Sequence, residues 1–123
     1  MPSGEGAGYR YVDASEVEAQ WGAFRKMRLA LGVTAFGINQ LDLPPGAEGI
    51  THSEDDSGQQ EVYVTLAGSG TMRFDDGSLE LVPGRWLVVE PGTTRTPVAG
   101  PDGLTLIMAG GIPQERFVPR KNL

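Results

Sequence analysis

The residues of this chain best suited to chemistry are one histidine and two glutamates near its middle. His52 is the only histidine among 123 residues, and Glu54 and Glu61 follow it closely. Successive side chains of a strand alternate between faces, so His52 and Glu54 would share one face if this segment is extended, as would Glu61 and Tyr63 in the next strand. If the two strands are neighbours, an imidazole and two carboxylates can converge on a cation or a polar ligand.

The segment around these residues resembles the first motif of the cupin superfamily. In that motif a Gly is followed by His-x-His, then by a Glu and a second Gly. Gly46, His52, Glu61 and Gly68 match these positions, and Glu54 stands where the second His would be.

A second segment resembles the other cupin motif. Gly84 and the turn Pro91-Gly92 are in register with it, and Arg95 stands where the motif has a His. The two motifs cover residues 46–98. The resemblance is to small single-domain cupins of the RmlC-like type, and it implies an all-β double-stranded β-helix, or jelly-roll barrel, with a pocket inside it.

The substitutions in these motifs change the expected chemistry. Metal-binding cupins mostly use three His and one Glu, whereas this chain offers His52, Glu54 and Glu61 as candidate ligands for Fe, Mn, Ni or Zn. Arg95 is permanently cationic and only donates hydrogen bonds, so it would repel a metal. The pattern therefore favours a pocket without a cofactor, with a divalent transition metal as the alternative.

Three interpretations remain open for the expected pocket residues His52, Glu54, Glu61, Tyr63 and Arg95. In the favoured one, Arg95 pairs with Glu61 or Glu54 and the pocket binds a small polar or anionic molecule. In the second, a metal-dependent enzyme of the dioxygenase or isomerase type acts on a small organic acid or a sugar-like substrate, and Arg95 meets an anionic group of that substrate. In the third, Glu54 lies in an acidic loop exposed to water and His52 is merely a polar residue near the barrel mouth. Catalytic residues, and whether the protein is an enzyme, stay unassigned.

Composition excludes several classes of partner. A net charge of −6 and a pI near 4.6 argue against a nucleic-acid binder. The chain has no cysteine, which excludes disulfides and thiolate metal sites. It has no apolar run long enough to span a membrane and no signal-like start, so we expect a cytoplasmic protein. The resemblance to small cupins, which often pair by exchanging or augmenting edge strands, implies a homodimer, and the N-terminal strands would suit that pairing.

The sequence also predicts the elements that position the site. Ser15 and Glu18 form a plausible capping box for a short N-terminal helix that ends at Gly22, with Val17 and Trp21 on one face. Alternating patterns then predict strands. These strands are expected at residues 27–31, 33–43, 61–66, 71–74, 78–81, 86–89 and 104–109.

Glycine and proline clusters predict the connections. Residues 54–60 read as a loop, and residues 67–70 and 100–103 read as turns. Asp76-Gly77 predicts a hairpin whose two central residues have positive φ. We therefore expect a flexible N-terminus with a short helix at 1–22, a barrel at 23–112 and a tail at 113–123.

Overall fold

The computed structural model describes residues 4–119, and its elements are mostly β-strands. The first half of the chain forms short elements, and the second half forms two long strands with two short strands between them. The elements are β1 (Gly4–Gly6), β2 (Tyr9–Tyr11), a 3-10 helix (Ala14–Glu16), β3 (Ala19–Gln20), β4 (Phe24–Arg25), α1 (Met27–Leu31), β5 (Gly37–Leu43), β6 (Gln60–Phe74), β7 (Gly77–Leu81), β8 (Trp86–Val89) and β9 (Arg95–Gly111).

The two long strands β6 and β9 run antiparallel and carry the rest of the barrel. The strand order is β3-β4-β5-β9-β6-β7, and β8 also pairs with β6. Residues 61–64 of β6 pair with β8, whereas residues 70–74 pair with β7. Each long strand therefore contributes one half to each of two facing sheets, and the pocket residues lie between them.

The bend in β6 depends on Gly68. Its φ is 73°, in the left-handed region, and a Cβ added there would lie 2.1 Å from the carbonyl oxygen of Gly103 in β9. A side chain at this position would push the two backbones apart. Gly68 thus allows β6 and β9 to cross from one sheet to the other while they stay paired.

Side chains that point inward from both sheets form one core. Along β6, Tyr63 and Thr65 point inward, and Asn39, Met108 and Leu87 occupy the same row as Tyr63 across neighbouring strands. Apolar side chains fill the interior beyond this row. The buried cluster consists of Leu41, Leu43, Tyr63, Met72, Leu81, Val89, Ala99, Leu104, Leu106 and Met108.

The N-terminal helix is shorter than predicted. It is one 3-10 turn, and Glu16, not Glu18, closes the capping box by accepting a hydrogen bond of 3.1 Å from the backbone N–H of Asp13. The Arg25 guanidinium donates to the carbonyls of Ala14 and Val17, at 2.8 and 2.5 Å, and so holds the chain in a bend at this point.

The expected pairing of Val17 with Trp21 is also wrong. Trp21 lies in the turn between β3 and β4, with a φ of 54°, and its ring centroid is 6.2 Å from that of Phe24. Its side chain is exposed instead of packing on a helical face.

The strand predicted at residues 27–31 is a helix. Met, Arg, Leu and Ala all have high helix propensity, and five alternating residues carry too little periodicity to outweigh it. Gly32 ends α1 with a φ of 71°, so the predicted stop is correct although the element type is wrong. The following strand, expected at 33–43, begins only at Gly37.

Several predicted turns lie within continuous strands. Gly68-Ser69-Gly70 is part of β6, and residues 100–103 are part of β9, because both segments are bulged crossings between sheets and not chain reversals. The predicted hairpin is displaced by one residue. Asp75 and Asp76 form its loop, Gly77 pairs with Phe74, and neither loop residue has a positive φ.

The main sequence prediction of an all-β jelly-roll barrel with a short N-terminal helix is confirmed. Residues 55–58 form the turn inside the predicted loop, and β8 has the predicted bounds. The boundaries 1–22, 23–112 and 113–123 stay a prediction, and the expected flexibility of the termini falls partly on residues outside the described range. Within that range, no helix is long and apolar enough to cross a membrane.

Candidate functional site

Two strands bring the predicted pocket residues together at one end of the barrel. Glu61 and Tyr63 point inward from the start of β6, and Arg95 begins β9. The backbone of Arg95 forms a pair of hydrogen bonds with His52, 3.1 Å from the His52 N–H to the Arg95 oxygen and 2.9 Å in the reverse direction. This pairing fixes His52 beside β9 and over Glu61.

The Arg95 side chain is fully buried and makes three hydrogen bonds. Its Nη2 donates to Glu61 Oε1 at 2.8 Å, its Nε to the Tyr63 hydroxyl at 3.1 Å, and its Nη1 to the Thr93 carbonyl at 2.9 Å. Its exposed fraction is 0%. The Tyr63 hydroxyl also donates to Glu61 Oε1, so Arg95, Tyr63 and Glu61 form a closed triangle.

His52 lies on the solvent side of the two carboxylates. Its Nε2 is 3.2 Å from Glu54 Oε2 and 3.7 Å from Glu61 Oε1, and its Nδ1 is 3.3 Å from the carbonyl oxygen of Ile50. About one third of its side chain is exposed (33%). The imidazole therefore forms the outer boundary of the cluster, with Arg95 on the inner side.

Glu54 is held in place by its own turn. It is only 7% exposed, the Ser57 hydroxyl donates to its Oε1 at 2.6 Å, and its N–H donates to the Pro91 carbonyl at 2.8 Å. The interpretation of Glu54 as a solvated loop residue is therefore wrong. The acidic residues beside it, Asp55 and Asp56, are exposed as that interpretation expected.

Hydrogen bonds determine the protonation states of this cluster. Burial alone would raise the pKa of Glu61, but hydrogen bonds from His52, Tyr63 and Arg95 outweigh it and hold the pKa below its usual range. Burial and the neighbouring Glu61 raise the pKa of Tyr63 well above its usual value, so Tyr63 remains a hydrogen-bond donor at physiological pH.

The two carboxylates favour a protonated His52. Its hydrogen bonds to Glu54 and then Glu61 raise the pKa of His52 to about 9, against the opposing effect of burial. At neutral pH the protonated His52 and the Arg95 guanidinium therefore place two positive charges against the Glu54 and Glu61 carboxyl groups without a metal.

The same residues also have the geometry of a small metal site. The nearest donor atoms of His52, Glu54 and Glu61 all lie within 4.8 Å of one another. One imidazole and two carboxylates suit a divalent first-row metal. Arg95, however, already occupies the inner side of Glu61, and a metal would have to compete with it and with the His52 proton.

A cavity of about 40 Å³ lies beside the carboxylates, on the side of the Glu61 row where the neighbouring strands carry glycine. Glu61 faces Gly110 on β9, and Gly110 faces Gly37 on β5. Two glycines in one row leave the space that larger side chains fill elsewhere. Glu54 and Glu61 line this cavity, whereas His52, Tyr63 and Arg95 hold them from outside it.

Three further lining residues were not identified from the sequence: Asn39, Gln59 and Phe117. Asn39 shares the inward face of β5 with Leu41 and Leu43, so strand alternation could have identified it. Phe117 is buried although its neighbours Arg116 and Val118 are exposed, and it packs over Gly37. No periodicity marks it in the sequence.

Comparison with known proteins decides the fold. None of the protein-family models and none of the curated proteins matches the chain. A cupin protein from Bacteroides fragilis superposes with a TM-score of 0.74, at 21% identity over 94% of this chain and 93% of that one. The chain has the cupin fold.

Other cupins of known structure agree with this assignment over a smaller part of the chain. An RmlC-like cupin from Shewanella frigidimarina superposes with a TM-score of 0.56, at 24% identity over 69% of this chain and 73% of that one. A sugar phosphate isomerase of the cupin superfamily from Silicibacter pomeroyi gives 0.62, at 23% identity over 71% and 57%. The resemblance seen in the two sequence motifs is thus confirmed as a likeness of fold.

Proposed function

We propose that this cupin-fold protein binds a small polar molecule in its barrel pocket and that Arg95 takes the place of a metal ion. The observation that carries the proposal is the hydrogen bond of 2.8 Å from the buried Arg95 guanidinium to Glu61. A bidentate or bridging guanidinium can neutralise buried carboxylates as a divalent cation would. The protonated His52 supplies the second positive charge.

The same contacts bear on whether the ligand is polar or anionic. An anion would need a cation with free donors facing the cavity. Arg95 does not line the cavity, and its three nitrogens donate to Glu61, Tyr63 and the Thr93 carbonyl. This supports the polar alternative over the anionic one.

The test is elemental analysis of the purified, tag-free protein, with the His52→Ala variant measured alongside. We expect substoichiometric metal in both samples and binding of polar compounds in a ligand screen. Near-stoichiometric metal in the wild type that disappears in His52→Ala would overturn the metal-free proposal.

The second candidate function is metal-dependent catalysis, and the convergence of donors within 4.8 Å supports it. His52, Glu54 and Glu61 would hold the ion, which would act as a Lewis acid or redox centre when bound. The name of the Silicibacter pomeroyi protein, a sugar phosphate isomerase, suggests one class of assay. An isomerase or oxygen-dependent activity that requires added Fe, Mn, Ni or Zn would favour this alternative.

We further propose that the protein is a homodimer that pairs through the outer face of β8 and the adjoining part of β6. Trp86 and Val88 are 73% and 50% exposed there, beside Val62 and Val64. Exposed apolar side chains grouped on a sheet face are typical of an interface.

The cytoplasmic location also stays a prediction.

Light scattering tests the homodimer with a matched pair of tryptophan variants. Trp86→Lys is expected to yield monomers, whereas Trp21→Lys should leave the dimer intact. Trp21 is equally prominent, at 77% exposed, but lies in the hairpin at the opposite edge of the sheet. A monomeric wild type, or a dimer that survives Trp86→Lys, would contradict the proposal.

A further inference from the structure

Asn39 is a polar residue of the cavity wall that the proposed site does not use. Its Oδ1 is buried and has no hydrogen-bond partner among the described residues, and Asn39 lines the cavity together with Glu54 and Glu61. A buried acceptor without a partner costs about 1–3 kcal/mol. Because this unpaired acceptor lies beside a cavity, we expect it to receive its hydrogen bond from a ligand that fills the cavity.

The rest of the cavity wall points to the same kind of occupant. Its charged groups are the carboxylates of Glu54 and Glu61, and its apolar surface comes from Met108 and Phe117. Arg95 does not line it. The wall therefore combines charged and neutral oxygen acceptors with apolar surface, and the Gln59 amide also lines it.

The size of the cavity limits what can enter. A volume of about 40 Å³ accommodates roughly two or three water-sized groups. A single ammonium or hydroxyl group on a short carbon chain fits this space. A carboxylate or phosphate would instead face two carboxylates at close range, which is unfavourable in a buried site.

From these observations we infer that the cavity recognises the hydrogen-bond donor end of its ligand, an ammonium or hydroxyl group, and that Asn39 is the specificity-determining acceptor. This inference rests on the proposed function, since it names the ligand class of that same pocket. It also explains why Asn39 Oδ1 in the barrel wall has no hydrogen-bond partner among the described residues. Ligand binding supplies the missing hydrogen bond.

The variant Asn39→Leu separates recognition from a structural role. Leucine has a similar size and no polar atom, so it removes the unsatisfied acceptor. We expect Asn39→Leu to raise the melting temperature and to weaken binding of a donor ligand about tenfold. A purely structural Asn39 would give the opposite sign for the melting temperature.

Thr65→Val is the matched control. Thr65 Oγ1 is the other buried side-chain oxygen without a partner in the described part of the chain, and Thr65 does not line the cavity. Both substitutions thus remove a buried side-chain oxygen without a hydrogen-bond partner, but only Asn39 lies at the cavity. Thr65→Val is expected to stabilise the protein as well and to leave ligand binding unchanged.

The experiment titrates wild type and both variants with ethylamine, ethanol and acetate at constant ionic strength, followed by amide shifts in NMR spectra. Ethylamine or ethanol should bind wild type more tightly than acetate. The affinity for that probe should fall about tenfold in Asn39→Leu and stay unchanged in Thr65→Val. Tighter binding of ethylamine would identify the donor as an ammonium group, and tighter binding of ethanol as a hydroxyl group. Preferential binding of acetate would overturn the inference together with the choice of a polar over an anionic ligand. Equal binding of ethylamine or ethanol by wild type and Asn39→Leu would overturn the inference alone and leave the polar pocket standing. No binding of any probe by the wild type would overturn both.

Discussion

At the scale of single residues, the site is determined by how Arg95 is buried. A guanidinium with 0% exposure must have its charge compensated inside the protein, and Glu61 supplies the compensating charge at 2.8 Å. Tyr63 donates to the same carboxylate oxygen and accepts from Arg95. Removal of any one member therefore leaves another buried polar group without its partner.

The Arg95→Met variant tests this dependence. It leaves Glu61 charged and partly buried, so we expect a loss of about 3 kcal/mol in the free energy of unfolding. The control is Arg73→Met, since Arg73 pairs with Glu48 at the surface, where both side chains are about half exposed (50% and 54%). That variant should lose less than about 1 kcal/mol.

Urea denaturation measures both variants. Adding Glu61→Gln to Arg95→Met should recover part of the loss, because no uncompensated charge then remains. Equal stability of Arg95→Met and wild type would show that the buried pair does not hold the site together.

The protonation of His52 gives a second prediction at this scale. Glu54 and Glu61 raise its pKa from 6.5 to about 9. Because the folded-state pKa is the higher one, the stabilisation from His52 is fully present below pH 6.5 and is lost as the pH rises through about 9. A stability difference between wild type and His52→Gln should shrink over that range.

NMR can observe this titration directly, since His52 is the only histidine. The imidazole resonance should have its midpoint near pH 9 in the wild type and a lower midpoint in Glu54→Gln, because Glu54 makes the largest contribution. Glu48→Gln serves as the control, since Glu48 pairs with Arg73 and not with His52. A midpoint near 6.5 in the wild type would mean that the two carboxylates do not hold the proton.

The sequence predicted these residues because the cupin motifs mark them by position. His52, Glu61 and Arg95 lie at motif positions, and Tyr63 shares a face with Glu61. The role of Ser57 in holding Glu54 depends on the shape of one turn, which motif spacing does not specify. Asn39 and Phe117 reach the cavity only through the packing of distant elements, and for that reason the motifs did not identify them.

At the scale of elements, the barrel depends on the crossing of β6 and β9. Gly68 has a φ of 73°, and a Cβ there would lie 2.1 Å from the Gly103 carbonyl oxygen. We expect Gly68→Ala to lower the free energy of unfolding by about 2 kcal/mol, through backbone strain and the displaced strand.

Gly111→Ala is the control for this substitution. Gly111 also lies in β9, has no positive φ, and would place a Cβ in open space. Its stability should remain within about 0.5 kcal/mol of wild type. Equal losses in the two variants would show that the tight crossing at Gly68 is not the cause.

The sequence prediction was wrong about several secondary-structure elements. Residues 27–31 alternate like a strand but consist of strong helix formers, and the local propensity prevails over so short a pattern. The Gly-rich segments at 68–70 and 100–103 look like turns because glycine also serves at strand crossings. The short apolar strand β8 was predicted with the correct bounds, and β7 begins one residue before its predicted start.

At the scale of the whole molecule, the cupin fold explains the position of the site but not its reaction. One barrel supports many unrelated functions, so the activity must be argued from the residues in the pocket. In this chain those residues balance two carboxylates with Arg95 and a protonated His52. Arg95 is therefore the cation on which the proposed metal-free site depends.

The most direct test of this account is a competition titration with a divalent metal and a chromophoric chelator, performed on wild type and Arg95→His. We expect weak metal uptake by the wild type and a clear gain in the variant, because an imidazole then joins His52, Glu54 and Glu61 in place of a guanidinium. Arg73→His, which adds a histidine at the surface, controls for incidental binding. Equal and tight metal uptake by the wild type and Arg95→His would contradict the claim that Arg95 replaced the metal.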